Sequence, residues 1–196
     1  MYAAPSDEAS YLAGKALAHI HLSGSNNDFY GFDTDNFIGS LPQDNGTYHR
    51  WEDFYYEKRG KNLLRKGITN GLFQETDLKA FDAFFENYVK MIPHHPPALL
   101  HGDLWSGNYA FNQKGDPIFF DPAVYYGHPE MDLAMTRLFG GFSTAFYKGY
   151  EENNPHLQPD WSQRLDAHQL WPLLVHAHLF GGSYVHQVRR IIQNGC

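Results

Sequence analysis

Three oxygen-bearing side chains fall close together in an otherwise apolar stretch. Asp103 and Asn108 lie in Leu99-Leu100-His101-Gly102-Asp103-Leu104-Trp105-Ser106-Gly107-Asn108, and Asp121 lies in Phe119-Phe120-Asp121-Pro122. Moving a phosphoryl group from ATP to an alcohol needs a carboxylate that orients and deprotonates the acceptor hydroxyl. It also needs hard oxygen ligands that hold magnesium on the phosphates. Asp103 suits the first role, and Asn108 and Asp121 suit the second. The chain between them reads as two short strands, 109–111 and 118–120, joined by the turn Asn112-Gln113-Lys114-Gly115-Asp116, which returns Asp121 toward Asn108. Taken singly, an Asp or Asn after a strand is a turn former or a helix cap. It is their joint spacing and apolar flanks that carry the chemistry.

The elements that must position these residues are mostly helical. A first helix is predicted over 6–22, with Ser6 as N-cap and a buried stripe of Ala9, Leu12, Ala13, Ala16, Leu17 and Ile20. Residues 23–47, dense in Gly, Asn, Asp and Ser, read as a long ordered loop with at most a small hairpin. Helices are predicted over 48–64 and 76–91, the second stopped by Pro93, Pro96 and Pro97. A short strand over 98–100 leads into the Asp103 loop, so a small β-element carries the site. Helices return over 130–139, 144–150, 163–180 with a kink at Pro172, and 183–193. Gly140-Gly141 and Gly181-Gly182 follow helices and lack the preceding strand of a phosphate loop, so they read as helix ends.

The chain has 196 residues, 42% of them apolar, which allows one well-packed domain over 1–196. With 15 Lys and Arg against 22 Asp and Glu, its net charge of -7 argues against a nucleic-acid partner. The single cysteine, Cys196, permits no internal disulfide and fits a reducing, cytoplasmic setting. The most apolar run, 169–184, is interrupted by Pro172, His176 and His178, so no membrane span is expected. Met1 to Ser10 does not read as a secretory signal. Twelve histidines invite a zinc reading, but His176-Ala177-His178 sends its rings to different helix faces, and no Cys or His-Glu-x-x-His frame supports His94-His95.

The run His101 to Asn108 resembles the catalytic loop of the fructosamine kinase (ketosamine-3-kinase) family, relatives of the aminoglycoside phosphotransferases. The similarity continues through Asp121-Pro122-Ala123-Val124-Tyr125-Tyr126-Gly127-His128-Pro129-Glu130-Met131-Asp132-Leu133-Ala134-Met135 and Leu138-Phe139-Gly140-Gly141-Phe142, and returns at Leu179-Phe180-Gly181-Gly182-Ser183-Tyr184. It implies ATP-dependent phosphorylation of the 3-hydroxyl of a sugar attached to an amine, the adduct left when glucose or ribose glycates lysine. It also implies Asp103 as catalytic base, Asn108 and Asp121 as magnesium and nucleotide ligands, and supporting roles for His101 and Asp132. Trp105 belongs to the signature, either as a wall for the sugar ring or as core packing.

The implied fold is α+β, mainly α: the C-terminal lobe of a protein-kinase-like enzyme. The N-terminal lobe of such enzymes brings a glycine-rich loop over the phosphates and a strand lysine that pairs with them. No Gly-x-Gly-x-x-Gly occurs in this sequence, and Lys15, Lys58, Lys61, Lys66, Lys79 and Lys90 sit in helical or polar contexts. The chain is therefore read as a C-terminal lobe without its partner lobe, with Met1 to Pro5 near the join. The competing reading is a catalytically inactive lobe that binds a ligand or partner. Metal-dependent hydrolysis through His101 and Asp103 would need further His and Asp clusters that the sequence lacks.

Overall fold

The computed structural model describes residues 5–194; residues 1–4, at the expected join to a second lobe, and Cys196 lie outside them. Helix α1 (Asp7–Ser23) starts where the Ser6 side chain accepts a hydrogen bond from the Ala9 N–H, with Asp7 and Glu8 at the positive end of its dipole. Its buried face is Ser10, Ala13, Gly14, Leu17, Ala18 and His21, and Leu12 is left 44% exposed. The expected stripe is thus rotated. Close packing of α1 on α6 (Thr144–Asn153) favours small side chains, and hydrogen bonds to Tyr150 and Asp132 turn His21 inward.

The stretch 23–47 is more than a loop. It supplies β1 (Tyr30–Phe32), β2 (Asn36–Ile38), β3 (Leu41–Gln43) and β4 (Gly46–Tyr48). Strands β2 and β3 form a hairpin with Asn36 opposite Gln43. Strands β1 and β4 join β5 (Ala98–Leu100) and β8 (Tyr125–Gly127) in an antiparallel sheet of order β4-β1-β8-β5, with Leu99 opposite Tyr126. The second site hairpin, β6 (Tyr109–Phe111) with β7 (Pro117–Phe119), stands apart from that sheet. The expectation of one small β-element is corrected accordingly: β5 leads into the Asp103 loop from the sheet, while Asn108 and Asp121 flank the separate hairpin.

Helix α2 (Trp51–Phe54) passes through a π-helical segment, Tyr55–Gly60, into α3 (Lys61–Thr69). Helix α4 (Glu75–Met91) begins with a capping box between Gln74 and Asp77. Helices α5 (Glu130–Phe139), α7 (Leu165–Phe180) and α8 (Ser183–Asn194) complete the chain, and α7 runs through the buried Pro172 unbroken. His178 meets the Leu63 carbonyl of α3 at 2.8 Å; His176 bonds within α7 to the Pro172 carbonyl at 2.8 Å and packs its ring 4.7 Å from that of Phe139 of α5.

Two apolar clusters result. The larger joins the sheet to α2, α3, α4, α7 and α8 through residues such as Phe54, Tyr55, Phe81, Tyr88, Tyr125 and Leu174. The smaller packs α1 and α6 around Leu17, Phe146 and Tyr150, and takes in Leu104 of the loop that carries Asp103. The site lies along the seam between them. Among the described residues no helix is long and apolar enough to cross a membrane.

Candidate active site

Leu104, fully buried, pins the 101–108 loop into the smaller cluster and leaves Asp103 beside it half-buried. The Asn108 amide nitrogen donates to the Asp103 backbone carbonyl at 3.0 Å and to its carboxylate at 3.2 Å, so the two residues paired by sequence spacing meet directly. Burial pushes the Asp103 carboxyl above the usual carboxylate range and outweighs the Asn108 hydrogen bond, which acts the other way. A carboxylate so raised holds a proton more readily than a free one, which suits a general base.

His101 couples this loop to the next. Its Nδ1 accepts from the Asp103 N–H at 3.3 Å, and its Nε2 donates to the Phe120 carbonyl at 2.9 Å. Its own carbonyl accepts from the Ala123 N–H at 2.8 Å. The residue before Asp121 and the second residue after it are thereby tied to His101. Asp121 itself is exposed and takes a left-handed backbone, φ 53, which is uncommon for any residue but Gly, Asn or Asp. Gly102, at φ 81, lets the loops touch: a Cβ there would lie 2.1 Å from the Ala123 carbonyl oxygen.

Asp132 supports the loop from below. Its two oxygens accept the backbone N–H groups of His101 at 2.7 Å and Gly102 at 2.9 Å, and Oδ2 also meets His21 Nε2 at 3.1 Å. Burial raises the Asp132 pKa, but its bonds with His21 and Gly102 outweigh that and lower it below the usual range. His21 is held in turn by the Tyr150 hydroxyl at 2.6 Å. Sequence reasoning missed this partner, because nothing local in α1 marks a histidine for a carboxylate so distant along the chain.

Trp105 is 42% exposed, outside the core, with its ring over Gly107, where a Cβ would sit 2.2 Å from ring carbons. Magnesium prefers hard oxygen donors. Asn108 spends its amide N–H groups on Asp103, leaving Oδ1 with no donor among the described residues, and none of them donates to the Asp121 carboxylate. A free amide oxygen and a free carboxylate fit such an ion.

A second polar cluster lies away from the site. His128, Glu130 and His168 bring potential ligand atoms within 4.8 Å of one another, all buried. Both Glu130 oxygens are already taken by Arg164, at 2.6 and 2.9 Å, and Oε2 also by His168 at 3.0 Å. A metal would have to displace a buried guanidinium, so the cluster is a structural ion-pair network.

Comparison with known proteins agrees with this architecture. A protein from Thermobifida fusca, provisionally named fructosamine-3-kinase, superposes with a TM-score of 0.86 at 35% identity, over 96% of this chain and 65% of its own. An amicoumacin kinase, solved with AMP-PNP and Ca2+, shares the fold at a TM-score of 0.60 and 15% identity. A protein of Vibrio parahaemolyticus, provisionally named ketoamine kinase, is 42% identical over 191 residues, covering 94% of this chain and 62% of its own length. The chloroplastic protein-ribulosamine 3-kinase of Arabidopsis thaliana is 37% identical over 187 residues, covering 92% of this chain and 55% of its own. The chain thus spans less than two thirds of the length of these relatives. The fructosamine kinase family model matches residues 2–195, nearly the whole of the chain, and with that agreement of sequence and fold the chain belongs to the fructosamine kinase family.

Proposed function

We propose that this chain carries the catalytic half of an ATP-dependent kinase that phosphorylates a hydroxyl of a glycated amine, the 3-hydroxyl of a ketosamine sugar. The observation that supports this best is the Asp103–Asn108 hydrogen bond on a loop whose backbone is held by Asp132 and coupled through His101 to the Asp121 loop. Asp103 accepts the proton of the sugar hydroxyl as that oxygen bonds to the γ-phosphorus, and ADP leaves with the electron pair of the broken bond. The Asn108 Oδ1 and the Asp121 carboxylate would hold magnesium, which neutralises charge on the phosphates. Trp105, exposed beside Asp103 in sequence, offers a flat face to the sugar ring.

None of the strands described carries a lysine, and the sequence has no Gly-x-Gly-x-x-Gly. In this reading the elements that cover the ATP phosphates come from outside these 196 residues, and the chain acts as a C-terminal catalytic lobe. The names of the relatives, ketoamine kinase and ribulosamine 3-kinase, support the substrate class.

Turnover of a fructosyl-amine with ATP and magnesium tests the reading in the full-length protein. Asp103→Asn removes the proton acceptor and is expected to cost roughly 10²–10⁴ in kcat. A variant within a few-fold of wild type would remove Asp103 from this role. Binding of the amine with no phosphorylation by the wild type would favour an inactive binding module.

A further inference from the structure

Arg59 lies in the π-helical segment between α2 and α3, and it is fully buried. Its guanidinium sits 4.1 Å from the Tyr125 ring centroid, 4.5 Å from that of Phe54 and 4.9 Å from that of Trp171. Among the described residues no carboxylate lies within ion-pair distance of it. Burial lowers its pKa to about 10, so it stays charged at neutral pH. Only the more distant Asp44 and Asp35 carboxylates favour its charge; a cation buried with no counter-ion in contact is costly, and an apolar side chain of similar volume would avoid that cost. Packing alone therefore does not explain the choice of arginine.

The guanidinium's hydrogen bonds lead to the metal side of the site. Nη1 donates to the Asp44 carbonyl at 2.8 Å, and Nη2 donates to Asn45 Oδ1 at 2.8 Å. Asn45 passes the connection to Asn36 Oδ1 at 3.2 Å. The paired residues Asn36 and Gln43 of the β2–β3 hairpin then reach the segment after Asp121: Asn36 donates to the Val124 carbonyl at 2.8 Å, and Gln43 donates to the Ala123 carbonyl at 3.1 Å. The Tyr125 ring under the guanidinium follows directly in the chain. Arg59 thus touches Tyr125 directly with its cation face, and reaches Ala123 and Val124 at one remove, through Asn45, Asn36 and Gln43. Asp121 holds a left-handed backbone, which Asp tolerates better than most residues but which the fixed segment after it helps to select.

We infer that Arg59 is a positioning residue that, through the β2–β3 hairpin, fixes the backbone of residues 121–125 and so aims Asp121. The link from that backbone to magnesium rests on the function proposed above; the link from Arg59 to the backbone does not. Asn36 and Gln43 are the near end of the same device.

The test uses the full-length protein with Arg59→Met, Gln43→Leu and Asn36→Leu, each apolar and close to the original in size. Hydrogen–deuterium exchange of a peptide covering 119–127, read by mass spectrometry without nucleotide or metal, reports on the backbone alone. Exchange there is expected to quicken by about tenfold or more in Arg59→Met, and less in the other two, while peptides of α1 and α6, which build the other apolar cluster, keep wild-type rates. The magnesium concentration for half-maximal turnover is expected to rise by about tenfold in Arg59→Met. A protein merely loosened overall would instead exchange faster everywhere and lose kcat at an unchanged magnesium requirement. Wild-type exchange at 119–127 in folded Arg59→Met, or in both hairpin variants if that one does not fold, overturns the inference. Faster exchange with an unchanged magnesium requirement is judged against Asp121→Asn. If that variant raises the requirement, the inference falls. If it does not, the metal role of Asp121 falls and the backbone role of Arg59 stands.

Discussion

Asp132 and Glu130 stand two residues apart in the first turn of α5, each 1% exposed, yet they serve different parts of the molecule. At 3.6 residues per turn they point about 200° apart around the helix. Asp132 turns to the seam between the two apolar clusters and accepts the backbone N–H groups of His101 and Gly102, with His21 as its side-chain partner. Glu130 turns into the larger cluster and takes a two-pronged bond from Arg164 and a third from His168, whose ring stacks on His128. The first carboxylate is spent on the shape of a loop. The second neutralises a buried cation and joins α5 to α7. Burial is the same for both, so their difference lies wholly in what they hold.

Removing either charge separates the two roles most strongly. Asp132→Asn keeps the size but weakens the support under two consecutive N–H groups beside Asp103. In the full-length protein this is expected to lower kcat about a hundredfold, since small displacements of a catalytic group cost that much. Glu130→Gln leaves Arg164 buried with its main partner uncharged, and is expected to cost about 3 kcal/mol of stability in urea unfolding, with kcat within a few-fold of wild type. Equal losses of kcat in both variants would show that α5 acts as one rigid support and that the division of labour is wrong.

Acid should unpick the Glu130 side of the comparison in two stages. Burial raises the Glu130 pKa, but hydrogen bonds from His168 and Arg164 outweigh it and bring the pKa down to about 2. Its stabilising contribution is therefore complete above about 4.5 and is lost as pH falls toward 2. Near it, burial lowers the pKa of His95 to about 4 and that of His128 well below 6.5. The unfolded chain protonates these histidines first, so their contribution is complete above about 6.5 and erodes as pH falls. Each can remove up to roughly 1.4 kcal/mol per pH unit. Stability measured from pH 7.5 to 4.5 is expected to fall, with the decline reduced in His95→Phe. A flat profile over that range would mean that these rings are not held neutral in the fold.

The sequence carried the Asp132 side of this comparison better than the Glu130 side, and the reason is locality. Asp103, Asn108 and Asp121 fall within one loop and one hairpin, where spacing constrains geometry, and the structure brings Asp103 and Asn108 into contact. The family was legible from the same segment. Arg164 and His168 gave no such sign, because their partner Glu130 lies on another helix and ordinary sequence patterns do not record which buried charges meet. The same holds for His21, for Arg59 and for the amides of Asn36 and Gln43, each of which acts on a residue far along the chain. Strand β8 was missed because its partners β1 and β5 lie far along the chain, whereas the equally short β6 and β7 pair across a local turn. The face of α1 was misjudged because Ala, Gly and Ser line its contact with α6, and small residues leave a weak hydrophobic signal.

The finest probe of the comparison is Tyr150, which touches the Asp132 network only through His21. Its hydroxyl meets His21 Nδ1 at 2.6 Å and accepts from Asn154 at 2.8 Å, in fully buried surroundings. Tyr150→Phe removes the hydroxyl and leaves the ring in its place within the smaller cluster, so no large cavity forms. The two partners lose one bond each inside the protein, which is expected to cost about 1–3 kcal/mol. His21 keeps its bond to Asp132, and the N–H groups of His101 and Gly102 keep theirs, so kcat should change by less than a few-fold. That places the variant beside Glu130→Gln in its pattern, with stability lowered and turnover preserved, even though it sits on the Asp132 side. If Tyr150→Phe instead lowers kcat toward the level of Asp132→Asn, the orientation of His21 sets the position of the Asp132 carboxylate, and the support under Asp103 extends back through α1 to α6.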